Sequence, residues 1–451
     1  MMISFYSTPP PPFLRSGIHP AWQQPTPRSS DTNPVGNPDY IRAVYDSLGQ
    51  TPPADVTVDK DNASTVEKGP LRNYESTRND TQSQAQLGTV QYVQTGGKQS
   101  QHSILADAVG FLGLSGTEGT QNQAKVDSVA NAMVGDSNSI ETVNTLVAKQ
   151  AGLVNLDGRN NSNQAKVDTL ATPLNKHGSV MFAGSGNKND FSNIKGTAEF
   201  LTVSGSGNTN TGTLAEGVDQ LVLSGNKNNT QLRIQGEVGE LLQEEEAQGN
   251  HTKLEFATKA GLLAFKGSSN RNSLHLSKGS QGVAFQGSKN VNHLHNLGNQ
   301  GDEASFAVLG GAQNENYYKG DGTQVLAVQG TGNRVNIETM QDKTPTTAKN
   351  TPDKLMIAGE DNIVNAKLQG GNDSIAIKKA NSMTATIDGS VGKQTVTLEG
   401  EAKEWSRRTE GDTLVMSRGK QQVRLKQVEQ LTFQAKVDAT AFTGIDKLQQ
   451  G

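Results

Sequence analysis

The 451-residue chain contains no cysteine, which excludes disulfide staples, thiolate metal sites and cysteine nucleophiles together. Aromatic residues make up only 5% and hydrophobic residues 33%, too little for the three conventional cores that this length would ordinarily imply. No apolar run of about 18 residues occurs, so no membrane-spanning helix is expected. Prolines follow Thr8 at once and leave no apolar stretch of about 7 to 15 residues, so the N-terminus does not read as a cleaved secretory leader. An excess of either charge is also missing. The 41 Lys and Arg nearly balance 45 Asp and Glu, the basic residues form no stripe, and nucleic acid is not an expected partner.

Glycine is plentiful, with 49 copies, and it is periodic. A short apolar segment ending in glycine, followed by an Asn-rich turn, recurs about every 20 residues from near Leu112 to near Leu398. Phe265-Lys266-Gly267-Ser268-Ser269-Asn270 is answered by Phe285-Gln286-Gly287-Ser288-Lys289-Asn290 and by Val328-Gln329-Gly330-Thr331-Gly332-Asn333. A second apolar pair follows each turn, as in Leu254 and Phe256 or Leu274 and Leu276, alternating with polar residues as a strand with one buried face requires. The expected fold is therefore all-β: a single-stranded parallel β-solenoid, a β-helix or β-roll, of about 14 turns. Each turn buries its apolar face on its neighbours, so a thin core suffices. With strands stacked ~4.8 Å apart, that stack is a rod on the order of 65 to 70 Å.

The irregularities are informative too. Between Leu223 and Phe265 one turn, around Leu241 and Leu242, reads as decayed, with the run Glu244-Glu245-Glu246 as a solvated arc, and residues 342–352 read as a loop inserted into a turn. Residues 1–102 are rich in proline and polar residues and are expected to be largely disordered, with a transient helix over 40–48. Residues 103–400 form the expected solenoid, and 401–451 a C-terminal cap.

Candidate sites are few. Asn187, Asn208, Asn270, Asn290 and Asn333 share a phase, so their amides are expected to stack along one edge and bond from turn to turn. His293 and His295 share a strand face, and Leu274-His275-Leu276 aligns with Leu294-His295-Asn296, so a stacked His275–His295 pair could offer two imidazoles to a metal; the competing reading is two outward-facing histidines over inward leucines. A carbohydrate-active β-helix would need a groove of carboxylates with Lys or Arg on adjacent turns, and Asp219, Asp302, Asp321, Asp342 and Asp361 fall at different phases, so no catalytic group is assigned.

Gly359-Glu360-Asp361-Asn362-Ile363 and Gly371-Asn372-Asp373-Ser374-Ile375 resemble the second half of the Ca²⁺-binding nonapeptide G-G-x-G-x-D-x-U-x. The segment Val428-Glu429-Gln430-Leu431-Thr432-Phe433 looks like the V-E-x-L-x-F pattern that often closes such rolls. Together they resemble RTX, or hemolysin-type, secreted repeat proteins over about residues 355–442. The longer array, with G-S-x-N-x-N arcs, does not. The resemblance implies Ca²⁺ near Gly359, Asp361, Gly371 and Asp373, and a capping region that carries a secretion signal. It also implies export by a route independent of a signal peptide and an extracellular or cell-surface location. Harpin-like type III substrates are similar in composition and give a second export expectation. Gln286-Gly287 and Gln329-Gly330 resemble curlin repeats, but most turns lack that glutamine. The sequence-level expectation is an exported bacterial, non-enzymatic scaffold or adhesin with a protein or glycan partner, the alternative being a polysaccharide lyase or hydrolase.

Overall fold

The computed structural model describes residues 54–57, 63–67, 69–171, 177–296, 306–320, 325–339, 354–369, 373–391 and 393–437. The expected disorder before residue 54, the helix over 40–48, the insertion over 342–352 and Gly371 lie outside them. The described residues are almost entirely strand, wound into one 33-stranded sheet. Each turn contributes one strand to a first sheet and one to a second. Arg271–Leu276 pairs in parallel with Val291–Asn296, and the following Ser280–Phe285 pairs with its own counterpart, Ala260–Phe265. A third side is one residue wide, a file of single bridges that runs Ser268, Ser288, Ala312, Thr331, Glu360. The protein is a parallel β-solenoid, and its strands between Gln101 and Glu399 make the fourteen expected turns.

The alternation in the sequence sets the packing. In Arg271–Leu276, Leu274 and Leu276 point inward and are fully buried, while Ser273 and His275 face out. In Ala260–Phe265 the inward set is Ala260, Leu263 and Phe265, and the Phe265 ring rests on Phe285 of the next turn with centroids 5.2 Å apart. Each such side chain withdrawn from water contributes about 1.5–3 kcal/mol.

The corner between the second and first sheets explains the G-x-x-N signature. Gly287 has φ of 79°, and a Cβ there would sit 2.0 Å from the carbonyl oxygen of Gly267. The residue two later is left-handed in turn after turn, with Ser269, Lys289 and Gln313 all at φ 57°. It is glycine at Gly207 and Gly332, so the position needs the conformation without needing glycine, whereas the first position is a left-handed glycine at Gly205, Gly225, Gly267, Gly287, Gly311, Gly330 and Gly359 and is Ala247 only where the arc is longer.

Three expectations are corrected. The stack begins well before residue 103: Ala54–Thr57, Ala63–Glu67, Leu71–Ser76 and Gln82–Thr95 are paired rungs. Their core is spare, with Tyr74, Ala85, Leu87, Val90 and Val93 beside inward Ser76, Ser83 and Thr95, too polar to register as an apolar period. With these rungs the rod is on the order of 80 Å. The turn around Leu241 is complete rather than decayed, since Val238–Gln243 is in register on both sides. Buried Gln243 takes the place of the usual apolar residue and donates from Nε2 to the Lys266 carbonyl, 2.7 Å. Its arc is two residues longer than that of the preceding turn, which accommodates the three glutamates; burial and the nearby Glu246 push Glu244 above the ordinary carboxyl range.

The C-terminal region, finally, is no separate unit. Lys420–Lys426 and Gln430–Gln434 form a last rung on Ser382–Val391 and Thr395–Glu399, and the hairpin Ser406–Glu410 with Thr413–Arg418 pairs antiparallel onto it. Leu431 and Phe433 of the closing pattern lie opposite Val396 and Leu398. Trp405 is buried under the Arg418 guanidinium, 4.5 Å from its ring.

One face differs from the rest. On the outer side of the second sheet, Ala284, Val308, Ala327, Met356 and Ala376 follow one another in register. They are buried in a second apolar cluster with Phe306, Val325 and Val437. The first sheet's outer face over the same rungs carries polar side chains. Gly287→Ala should lower the melting temperature sharply, by at least the 1–3 kcal/mol of a strained left-handed residue, while Lys289→Gly should leave it nearly unchanged; equal melting temperatures in a thermal scan would refute the corner geometry.

Candidate functional site

Two files of buried Asn run along the middle of the rod: a corner file from Asn161 to Asn362, and an inner file that Thr230 and Thr252 interrupt and that ends at Asn316. At the corner the backbone N–H of each Asn donates to Oδ1 of the Asn one turn on: Asn187 to Asn208 at 2.9 Å, Asn250 to Asn270 at 2.9 Å, Asn270 to Asn290 at 2.8 Å and Asn314 to Asn333 at 2.9 Å. The Nδ2 of Asn290 donates to the carbonyls of Gly267 and Gln286, both 3.1 Å away. One side chain thus bonds three backbone groups, of which the Gly267 carbonyl alone also accepts a backbone N–H, that of Ser288. Asn187, Asn208, Asn270, Asn290 and Asn333 are all buried in this file.

A second file, two residues later and inside the first sheet, was not anticipated. Asn163 donates to Asn189 at 3.0 Å, Asn189 to Asn210 at 2.8 Å, Asn272 to Asn292 at 2.9 Å and Asn292 to Asn316 at 2.8 Å, amide to amide. Its signal was the second Asn of each N-x-N, which is an inward position of the strand. At the N-terminal end the file finishes in His102, whose Nδ1 contacts Ser83 Oγ at 2.7 Å and whose Nε2 contacts the Gly96 carbonyl at 2.6 Å. Burial pushes His102 below the usual imidazole range.

The structure separates the residues of the implied Ca²⁺ motif. Asp361 is an exposed left-handed corner residue at φ 55°, and Asp373 is 4% exposed beyond the far end of Asn362–Gln369. An eight-residue strand spans about 25 Å, so the two carboxylates cannot share an ion. Gly359 has φ of +92° and the close carbonyl contact of its counterparts in other turns. Glycine and aspartate here meet the corner's conformational demand. Among the described residues, no group of three or more His, Asp or Glu side chains is placed to hold a metal, and no helix is long and apolar enough to cross a membrane.

The outer face of the first sheet carries a groove of about 1020 Å³. Register builds it from two files. One runs Lys253, Ser273, His293, Tyr317, Asn336, Asn365, Thr386, and the other Glu255, His275, His295, Lys319, Glu338, Lys367, Asp388. Six rung spacings make it about 29 Å long. Near the middle His293 stacks flat on Tyr317, centroids 4.6 Å apart and planes within 7°, and Tyr317 keeps 36% of its surface exposed. Burial, and then the Arg271 charge, hold His293 below the ordinary imidazole range. His275 and His295 meet through their Nδ1 atoms at 3.1 Å.

The carboxylates that share a file are Glu255, Glu338 and Asp388; Asp219 and Asp361 lie in neither file, and Asp302, Asp321 and Asp342 lie outside the described residues. Glu255 and Glu338 are each the fifth residue of a six-residue first-sheet strand and Asp388 the seventh of a longer one, so the file is legible only once the register is known. Lysines neutralise two of them. Lys253 Nζ lies 3.0 Å from Glu255 and holds its carboxyl below the usual range, and Lys319 Nζ lies 3.2 Å from Glu338. Asp388 keeps one buried carboxylate oxygen without a hydrogen-bond partner.

No protein-family model, curated protein or solved structure matches this chain.

Replacing Asn270 and Asn290 together with Ala should cost several kcal/mol, since each change strips buried backbone groups of their partners at about 1–3 kcal/mol apiece; an unchanged melting temperature would remove the corner file from the account of stability. His102 yields a pH prediction. Its folded pKa is depressed, so the unfolded chain binds the extra proton, and stability should be complete above the unfolded value near 6.5 and fall as pH drops below it. His102→Asn, the residue type of the next rung, should flatten the melting-temperature profile between pH 7.5 and 5, and a profile of unaltered steepness would count against it.

Proposed function

We propose that the protein is a non-enzymatic, elongated scaffold that binds an extended glycan along the outer face of its first sheet. The observation that carries this reading is the groove itself, an open channel continuous over seven rungs. A ligand that repeats along its length suits a surface that repeats along its own. Lys253, Lys319 and Lys367 balance Glu255, Glu338 and Asp388, so there is no net field to select a polyanion. Asn336, Asn365, Thr386 and Ser273 offer both donors and acceptors, and the Tyr317–His293 stack offers an aromatic face to a sugar ring. The same reading takes the protein to be exported from a bacterium to the cell surface or beyond it and to act there in adhesion or scaffolding. The absence of cysteine and the composition shared with secreted repeat proteins support it.

A carbohydrate-active enzyme is the second reading, and one observation favours it. Glu338 and Asp388 stand two rungs apart in one file, about 9.6 Å by rung spacing, at the upper edge of the separation used by inverting glycosidases. Against it, Lys367 lies between them and Glu338 is engaged by Lys319, while general acid catalysis requires a carboxyl with a raised pKa. Affinity electrophoresis through gels of β-glucan, xylan, galactomannan and polygalacturonate decides. We expect retardation by at least one neutral polymer, lost in Tyr317→Ala at an unchanged melting temperature. Indifference to all four, or to the substitution, would sink the binding reading, and reducing or unsaturated ends accumulating with time would establish the enzyme instead.

A further inference from the structure

The His275–His295 pair has a geometry that glycan binding does not use. In-register stacking sets the two residues opposite each other on adjacent first-sheet strands, and their side chains meet nitrogen to nitrogen, Nδ1 to Nδ1 at 3.1 Å, with ring planes at 69°. Without an ion, such a contact requires one ring to donate its Nδ1 proton to the lone pair of the other. Two neutral rings with both Nδ1 lone pairs turned inward are a ready chelate. Two Zn–N bonds of about 2.0–2.1 Å at a tetrahedral angle span about 3.3 Å between nitrogens, close to the separation found here.

The surroundings fit a cation. Glu255 precedes His275 in the same file; Lys253 engages one of its oxygens at 3.0 Å, and its carboxylate is the acidic neighbour of His275. Lys319 follows His295, but its ammonium is drawn to Glu338, 3.2 Å away on the far side. The pair lines the open groove, so water or a ligand atom can complete the coordination. His293 is on the same strand and face as His295, yet it is committed to Tyr317 by flat stacking and faces Ser273 in register rather than His275.

We propose that His275 and His295 form a two-imidazole site for a borderline divalent transition metal such as Zn²⁺ or Ni²⁺, exposed in the groove with water in its remaining positions. A hard, oxygen-preferring cation such as Ca²⁺ or Mg²⁺ is not its ligand. The exchange balances simply: the Nδ1 proton of the donating ring moves through solvent to that ring's own Nε2, so both neutral rings bind the ion through Nδ1 with one proton each on Nε2, and no net proton is released. The proposal stands on this geometry alone and does not depend on the glycan reading.

Isothermal titration of the full chain with Zn²⁺, Ni²⁺ and Mg²⁺ tests it. One equivalent of Zn²⁺ or Ni²⁺ should bind, with a heat that does not depend on the ionisation heat of the buffer, and Mg²⁺ should give no signal. His275→Asn and His295→Asn should each abolish the binding while keeping the wild-type melting temperature, because both rings lie on the outer face, and each should abolish the rise in melting temperature that Ni²⁺ gives the wild type. His293→Asn should bind as the wild type does. Absence of wild-type binding, retention in either pair variant or loss in His293→Asn overturns the proposal.

Discussion

The middle of the stack depends on a side-chain amide at one corner of each turn from Asn161 to Asn362, a place that Thr142, Thr120 and Ser100 hold in the rungs before it. Strand pairing joins the two sheets rung to rung, but the corner between second and first sheets turns too tightly for that pairing, and its backbone groups are buried. Asn solves this because one planar group both accepts and donates. Its Oδ1 accepts the N–H of the Asn in the preceding turn, and its Nδ2 donates to two carbonyls, as Asn270 and Asn290 do. Glu and Asp lack the donor, and a hydroxyl, as in Ser100 and Thr120 of the first rungs, has a single proton to share between two carbonyls. Glycine at the start of the corner follows from the same closeness, since the carbonyl to be satisfied lies where a Cβ would be.

Most of the fold was written in the period and its phase, because burial imposes a repeat on inward positions. Phe265, Phe285 and Val328 could be aligned before any strand was seen, and so could the Asn file that starts each first-sheet strand. The first rungs escaped because a core can be made of Ser76, Ser83 and Thr95 when their hydroxyls are bonded to one another or to the backbone, and such residues carry no hydropathic signature. Gln243 hid a complete turn in the same way, by donating to Lys266. The inner Asn file was present in the sequence as N-x-N, but an inward amide within a strand runs against the expectation of an apolar interior.

The groove was far less legible. Outward positions are under no packing constraint, so Lys253, His275, His293, Tyr317 and Glu338 show no pattern until the register places them one above another. Aspartate spacing was a poor guide for the same reason: Asp361 is a left-handed corner residue and Asp373 is buried beyond the far end of the strand that follows it, while Glu255, Glu338 and Asp388 line the channel and are brought into one file only by register. Function on such a scaffold is a property of files, each rung supplying one member, and a substitution anywhere in a file alters one step of a linear surface.

The antiparallel hairpin over the last rung has a mechanical consequence. The hydrogen bonds that join one turn to the next lie along the rod axis, so turns are coupled in series, and a chain drawn out from an end would release them one after another rather than all at once. Resistance at the C-terminal end then rests on what must yield first. There Arg418 ties Trp405, Glu404, Gln421 and the Glu399 carbonyl together, and the outermost strand, Ser406–Glu410, is exposed throughout and carries Arg407, Arg408 and Glu410. The hairpin acts as a latch as well as a lid: it denies a template to further strands, and it sets the threshold load above which the spring below it begins to unwind.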